Sequence, residues 1–171
     1  MKKLLILGAG GYGKTIADVA AQLGCYEQIA FLDDVSADSR VLGRCTDYLQ
    51  FADGSTEMYP AFGNNELRMK WLDMLEEEGI TVPTLVHPRA YVSPSAKVGA
   101  GTVVLPLSVV NTNVTVGNGC IINIGALIDH DSVVGDGTHL APGAIVKAEN
   151  RVPEGIKIDS GEVIKNRAYP L

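Results

Sequence analysis

From Val86 onward an aliphatic residue recurs at every sixth position: Val86, Val92, Val98, Val104, Val110, Val116, Ile122, Ile128, Val134, Leu140, Val146, Val152, Ile158 and Ile164. Two residues before most of them lies a small side chain, as at Ala90, Ala96, Thr102, Ser108, Cys120, Ala126, Ser132, Thr138 and Ala144. A period of six matches neither a helix nor a two-faced strand. It predicts short strands separated by tight bends, each strand pointing one aliphatic residue inward. Gly99, Asn111, Gly117, Asn123, Asp129 and Gly135 directly follow inward positions, and such residues accept bend conformations that β-branched ones resist. Three strands close one triangular coil, so residues eighteen apart stack, and Val92, Val110, Ile128, Val146 and Ile164 form one column. Fourteen inward positions give a parallel β-helix of between four and five coils over residues 85–171. A Val-rich sandwich has no reason to hold one register for so long.

Residues 1–84 carry a different pattern. Leu4 to Leu7 reads as a buried strand, followed by the turn Gly8-Ala9-Gly10-Gly11-Tyr12-Gly13. Ile16, Val19, Ala20 and Leu23 then repeat at helical spacing, with Gly24 placed as a C-terminal cap. Ile29 to Leu32 predicts a second strand. Met58 to Phe62 predicts another, which Pro60 confines to an edge or a strand end. Leu67, Trp71, Met74 and Leu75 predict the inner face of a further helix that closes at Gly79. Strands alternating with helices imply an α/β, Rossmann-like half domain with a parallel sheet.

The charge of −6 on 171 residues argues against a nucleic-acid partner, whose binding surfaces are basic. No apolar run approaches the ~20 residues that span a bilayer. The opening apolar run is too short for a secretion signal. Cys25, Cys45 and Cys120 form no metal or disulfide pattern. These features together predict a reduced, cytoplasmic protein without membrane insertion.

Gly8, Gly10 and Gly13 satisfy G-x-G-x-x-G between a strand and a helix, and Asp33 lies twenty residues beyond Gly13. Such an arrangement binds dinucleotides, so an NAD(P)-dependent oxidoreductase is one reading. About 85 residues hold only one mononucleotide-binding half. The loop, with Gly10, Gly11, Tyr12 and Gly13, is therefore read as holding a diphosphate at a helix N-terminus, with Asp33 or Asp34 taking ribose or base. A ligand-free tight turn is the alternative. Gly63 and Asn64, before Asn65, follow a strand and cap a helix on the same side; Arg68 would meet phosphate or solvent. His130 lies two residues past inward-facing Ile128, on an outer bend between Asp129 and Asp131. An imidazole there has the pKa range of a general base; an exposed polar bend residue is the plain alternative. His139 falls half a coil later and faces another way, so the two histidines share a site only across a subunit boundary. His87 lies 43 residues before His130, on the order of 11 Å along the axis at the ~4.8 Å strand spacing. Zinc ligands stand about 2 Å from the metal, so no metal site is expected. Cys120, at a small-residue position, is expected to be buried.

The hexapeptide register resembles the left-handed β-helix acyltransferases. Leu-Gly-Ala-Gly-Gly-Tyr-Gly (7–13), Phe-Leu-Asp-Asp (31–34), Gly-Asn-Asn-Glu-Leu-Arg (63–68), Val-His-Pro (86–88) and Ile-Asp-His-Asp (128–131) narrow the likeness to the NeuD/PglD-type sugar acetyltransferases, over residues 1–148. The resemblance implies a homotrimer that transfers an acetyl group from acetyl-CoA to an amino or hydroxyl group of a nucleotide sugar, here UDP-linked. It implies His130 as base with Asp131 as its partner, and Asn123, His139, Ala141 and Gly143 along the acyl-CoA. Tyr12 stands where the family often has histidine, and Ala148 where relatives can have glycine. The ladder ends at Ile164, whereas relatives usually continue for further coils that wall the CoA arm. A nucleotide-sugar-binding β-helix with a lost or altered acyl-donor site is therefore the second reading.

Overall fold

In the computed structural model, which describes residues 2–170, the hexapeptide ladder becomes fourteen two-residue strands among those residues, from Leu85–Val86 to Val163–Ile164. The strands fall into three parallel sheets. Each pairs residues eighteen apart, as in Val92–Val110–Ile128–Val146–Ile164. The inward residues from Val104 to Ile164 are buried in one continuous core, against which Val86, Val92 and Val98 pack.

The left-handed backbone positions keep the same period. From Gly101 to Arg167 every sixth residue has positive φ, and five of these are not glycine: Leu107, Asn113, Asp131, Glu149 and Arg167. From Val98 onward the bend conformation thus sits three residues after each inward residue, not directly after it as the sequence suggested. Glycine at 99, 117 and 135 serves another purpose. An added Cβ there would strike the backbone of the adjacent coil, so these corners approach more closely than any side chain allows.

The chain divides into two compact units between Pro83 and Thr84. The first unit is a parallel sheet of β1 (Lys2–Leu7), β2 (Tyr26–Leu32), β3 (Val41–Gly43) and β4 (Thr56–Pro60), in the order β3-β2-β1-β4. Helix α1 (Gly11–Leu23) connects β1 to β2 and ends in left-handed Gly24. A 3-10 helix, Cys45–Phe51, follows β3. Pro60 ends edge strand β4, where no ladder hydrogen bond is lost.

Helix α2 (Asn65–Glu77) buries Arg68, Leu72 and Leu75. The inner face is therefore rotated from the one predicted: Leu67 is exposed, while Trp71 and Met74 are only partly buried. A buried arginine at the first inward position accounts for the error, because a hydrophobic pattern scores it as surface.

Candidate functional sites

Strand order places a topological switch point between β1 and β4, where chains leave their carboxyl ends in opposite directions. Open α/β sheets bind ligands there. The loop after β1 and the loop after β4 flank it. Gly8 takes φ +102°, and an added Cβ at Gly13 would run into the Gly8 carbonyl oxygen. Gly13 is therefore buried architecture, letting α1 start close to β1. Gly10 and Gly11 form the exposed lip, with open space around them. No side chain caps α1, so its first N–H groups offer an anion-binding end. The Tyr12 hydroxyl meets that of Tyr59 at 3.0 Å.

Asp33 is engaged by the backbone on both of its oxygens. One carboxylate oxygen accepts the Ala9 N–H at 2.7 Å, and the other accepts the N–H groups of Val35 and Ser36 at 2.9 and 2.7 Å. Its pKa is lowered, chiefly by the Ala9 bond. The carboxylate braces the glycine loop against the turn after β2. Asp34 accepts the Cys45 N–H at 3.2 Å and caps the 3-10 helix, remaining half exposed.

After β4, Gly63 and Asn64 are exposed, and Asn64 caps α2 through the Leu67 N–H at 2.8 Å. Arg68 meets neither phosphate nor solvent. It is fully buried, and its guanidinium donates to the Phe62 carbonyl and to Asn65 Oδ1, each at 2.9 Å. It is a strut inside the loop, and the sequence reading missed that role.

In the second unit, His130 follows strand Leu127–Ile128 and stands half exposed on a bend. Its Nδ1 lies 2.8 Å from Asp131 Oδ2. The Asp131 pKa is lowered, first by His130 and then by Asn113. The carboxylate is thus an ionised acceptor, Nδ1 carries the proton, and the Nε2 lone pair points away from the pair. The His130 pKa is raised, mainly by the Asp131 hydrogen bond, with Asp129, Asp131 and Glu149 adding charge. The His130 backbone N–H donates to Asp129 Oδ1 at 2.8 Å.

His139 belongs to strand His139–Leu140, in a different sheet from Leu127–Ile128, so the two histidines do not meet within one chain. Its Nε2 lies 3.1 Å from Asn123 Nδ2, bringing together two of the residues predicted to line the acyl donor. The backbone N–H groups of Ala141 and Gly143 are not available to an oxyanion. They donate to Ile158 O at 3.0 Å and Ile124 O at 2.9 Å, across coils.

Ala148, one coil beyond His130, differs. At the equivalent positions Thr112 and His130, the N–H is taken by the preceding Asn111 or Asp129 side chain, each at 2.8 Å. The residue before Ala148 is Lys147, whose side chain carries no acceptor, and among the described residues no acceptor meets the Ala148 N–H. The signal lay in the sequence as the break in the Asn111–Asp129–Lys147 column.

His87 is buried, and its Nδ1 accepts the Arg89 N–H at 3.0 Å. Cys120 is buried too. Among the described residues no group of three or more His, Cys, Asp or Glu side chains is arranged to hold a metal, and no helix is long and apolar enough to cross a membrane.

A Rossmann-like half sheet joined in sequence to a hexapeptide β-helix, with an aspartate-paired imidazole on one bend, defines the left-handed β-helix acyltransferase class. Comparison with known proteins narrows this. Residues 3–75 match the PglD N-terminal domain family. The acetyltransferase domain of PglB from Neisseria gonorrhoeae FA1090 superposes with a TM-score of 0.94 at 34% identity, over 98% of this chain and 84% of that one. The same domain has been solved in complex with acetyl coenzyme A. PerB from Caulobacter crescentus, in complex with CoA and GDP-perosamine, gives 0.80 at 26% identity, over 97% of this chain and 90% of that one. A curated relative, UDP-N-acetylbacillosamine N-acetyltransferase from Bacillus subtilis (strain 168), is 29% identical over 123 residues, 60% of this chain. That match spans about half, 51%, of the curated relative's length. The chain belongs to the NeuD/PglD-type sugar acetyltransferase family.

Proposed function

We propose that the protein transfers an acetyl group from acetyl-CoA to the amino group of a nucleotide-linked amino sugar. The observation that carries the reading is the His130–Asp131 pair, which holds Nδ1 protonated and leaves Nε2 as the base. The relatives supply the substrate class: one is named for a UDP-linked N-acetylated sugar, another was solved with CoA and GDP-perosamine, and a third with acetyl coenzyme A.

In this mechanism the sugar amine attacks the thioester carbonyl while His130 Nε2 accepts its proton. The Ala148 N–H donates to the carbonyl oxygen as charge builds on it. The tetrahedral intermediate collapses with breakage of the C–S bond, and the CoA thiolate leaves and is protonated. No acyl-enzyme forms. The exposed lip at Gly10, Gly11 and Tyr12 holds the nucleotide's diphosphate at the α1 N-terminus, with Asp34 at its margin and Gly63 and Asn64 on the opposite wall of the crevice. Asn123 and His139 line the acyl donor.

The working form is a homotrimer. One sheet of the β-helix points Tyr91, Val109, Leu127, Ile145 and Val163 outward in a single stacked column, and Tyr91 and Val163 are exposed. Such an apolar stripe marks an association surface. Packing copies along it offers a way for His130 of one protomer and the Asn123–His139 pair of another to serve one site.

The test is thiol release from acetyl-CoA with UDP- and GDP-linked amino sugars. Wild type is expected to turn over, and His130→Ala to lose roughly 10²–10⁴-fold in kcat while still binding the nucleotide sugar by calorimetry. Full turnover in His130→Ala would remove the assignment.

A further inference from the structure

The coil preceding His130 copies it in uncharged form. Asn111-Thr112-Asn113 lies one turn below Asp129-His130-Asp131, residue for residue. Asn111 Nδ2 donates to Asp129 Oδ1, and Asn113 Nδ2 donates to Asp131 Oδ1, both at 3.0 Å. Asp131 therefore uses one oxygen for Asn113 and the other for His130 Nδ1, at 2.8 Å. Asn113 is itself fixed. Its backbone has φ +59°, a conformation asparagine accepts better than most residues, and its N–H donates to Ser95 Oγ at 3.0 Å.

We infer that Asn113 is a positioning residue for His130. Its amide pins the Asp131 carboxylate so that the second oxygen meets Nδ1 and the Nε2 lone pair is offered outward. Without that amide, an exposed carboxylate on a bend is free to rotate about its own side-chain bonds, and the imidazole follows it. An aspartate at 113 would instead set two like charges face to face and give up the donor.

Other charged groups surround His130 among the described residues. Asp129 and Asp131 flank it, and Glu149 lies one coil on, paired to Arg167 at 2.7 Å. Lys147 follows Asp129 in its column, and the coil below contributes only Asn111, Thr112 and Asn113. Asn113 is thus the neutral donor that keeps Asp131 in place without changing the local charge.

The inference rests on His130 acting as the base, and the experiment separates the two. Asn113→Gly keeps the left-handed backbone and removes the amide; Asn113→Asp keeps the shape and substitutes charge. Both variants are compared with wild type and His130→Ala for kcat, for KM of each substrate, for pH profile, and for His130 titration by NMR in the intact assembly. Asn113→Gly is expected to lower kcat about tenfold, the scale on which the partner behind a working imidazole acts, with both KM values unchanged. Its His130 titration and the acid limb of kcat/KM should move to lower pH. Asn113→Asp should also lower kcat but move both to higher pH, since negative charge favours the imidazolium. A purely structural role would not give opposite shifts. Wild-type kcat and wild-type His130 titration in Asn113→Gly, with His130→Ala inactive, overturn the inference alone. Turnover in His130→Ala overturns the functional reading, and the NMR titration then still decides whether Asn113 governs the imidazole.

Discussion

The two units secure their candidate residues by opposite means. In the α/β unit each loop depends on a single buried or half-buried polar strut: Asp33 bonded to the Ala9 N–H, and Arg68 bonded to the Phe62 carbonyl and Asn65. In the β-helix every position is one of a stack, and His130 is held by the same coil-to-coil bonds that hold its neighbours. The first scheme concentrates its energy in a few contacts. The second distributes it and changes chemistry by substituting within a repeat. One edge of the prism shows this plainly. Its left-handed residues Asn113, Asp131, Glu149 and Arg167 are all polar, whereas Gly101, Gly119, Gly137 and Gly155 occupy another edge. Left-handed backbone costs a non-glycine residue roughly 1–2 kcal/mol, so side chains are retained on the edge that carries the base.

The contrast predicts where damage spreads. Gly117→Val should be the most harmful substitution, because its Cβ would enter the backbone of Asp136 one coil on. We expect a loss of about 3 kcal/mol or more in urea unfolding, with failure of the β-helix as a whole. A midpoint near wild type would show that coils slip past one another more freely than the stack implies. Arg68→Met should cost less, about 2 kcal/mol for losing the charged hydrogen bonds to the part-buried Phe62 carbonyl and Asn65 Oδ1. Its kinetic signature should be local: a raised KM for the nucleotide sugar and an unchanged KM for acetyl-CoA. A rise in both would erase the distinction between the units.

The smallest effect separates them by pH. Asp33 has a lowered pKa, so its bracing is present above the ordinary value of 3.8 and fades as pH falls through the lower folded value. His130 has a raised pKa, so the charged pair with Asp131 stabilises fully below 6.5 and fades as pH rises through the folded value. Melting temperature against pH should therefore lose an acid-side slope in Asp33→Asn and an alkaline-side slope in His130→Ala. The same raised pKa places the acid limb of kcat/KM above 6.5, since the base works only when neutral.

How much was legible follows from the same division. The β-helix could be read almost to the residue, because a hexapeptide repeat writes its inward positions directly into the sequence. What it hid was the bend: Gly, Asn and Asp next to the inward residues drew attention from the true left-handed positions, some of which are Leu107, Glu149 and Arg167. In the α/β unit, β1, β2, β4 and both α-helices were legible, but β3 and the 3-10 helix were not. Asp33 matched a ribose-binding spacing, yet its oxygens accept the backbone N–H groups of Ala9, Val35 and Ser36. Arg68 looked like a surface cation and proved to be core. Spacing reports which residues approach each other, and in a non-repeating fold it does not report which backbone groups claim them first. The contact between His130 and Asp131 matches the pairing that the resemblance implied, which the Asp-His-Asp run alone did not single out. That no acceptor among the described residues meets the Ala148 N–H was visible only once the columns were drawn.

The eighteen-residue stacking also acts as a reading frame for heredity. A segment of eighteen residues added or lost within the β-helix returns every later residue to its own edge. A segment of six rotates all that follows by one face. If six residues entered between Asn113 and Asp129, the asparagines and aspartates now stacked at 3.0 Å would lie on different edges, although every aliphatic side chain still pointed inward. The core would tolerate what the site would not. Length variation among descendants of this chain should therefore be filtered most strictly between those two coils, where even a whole added coil would part the pairs stacked at 3.0 Å, and far more loosely beyond them.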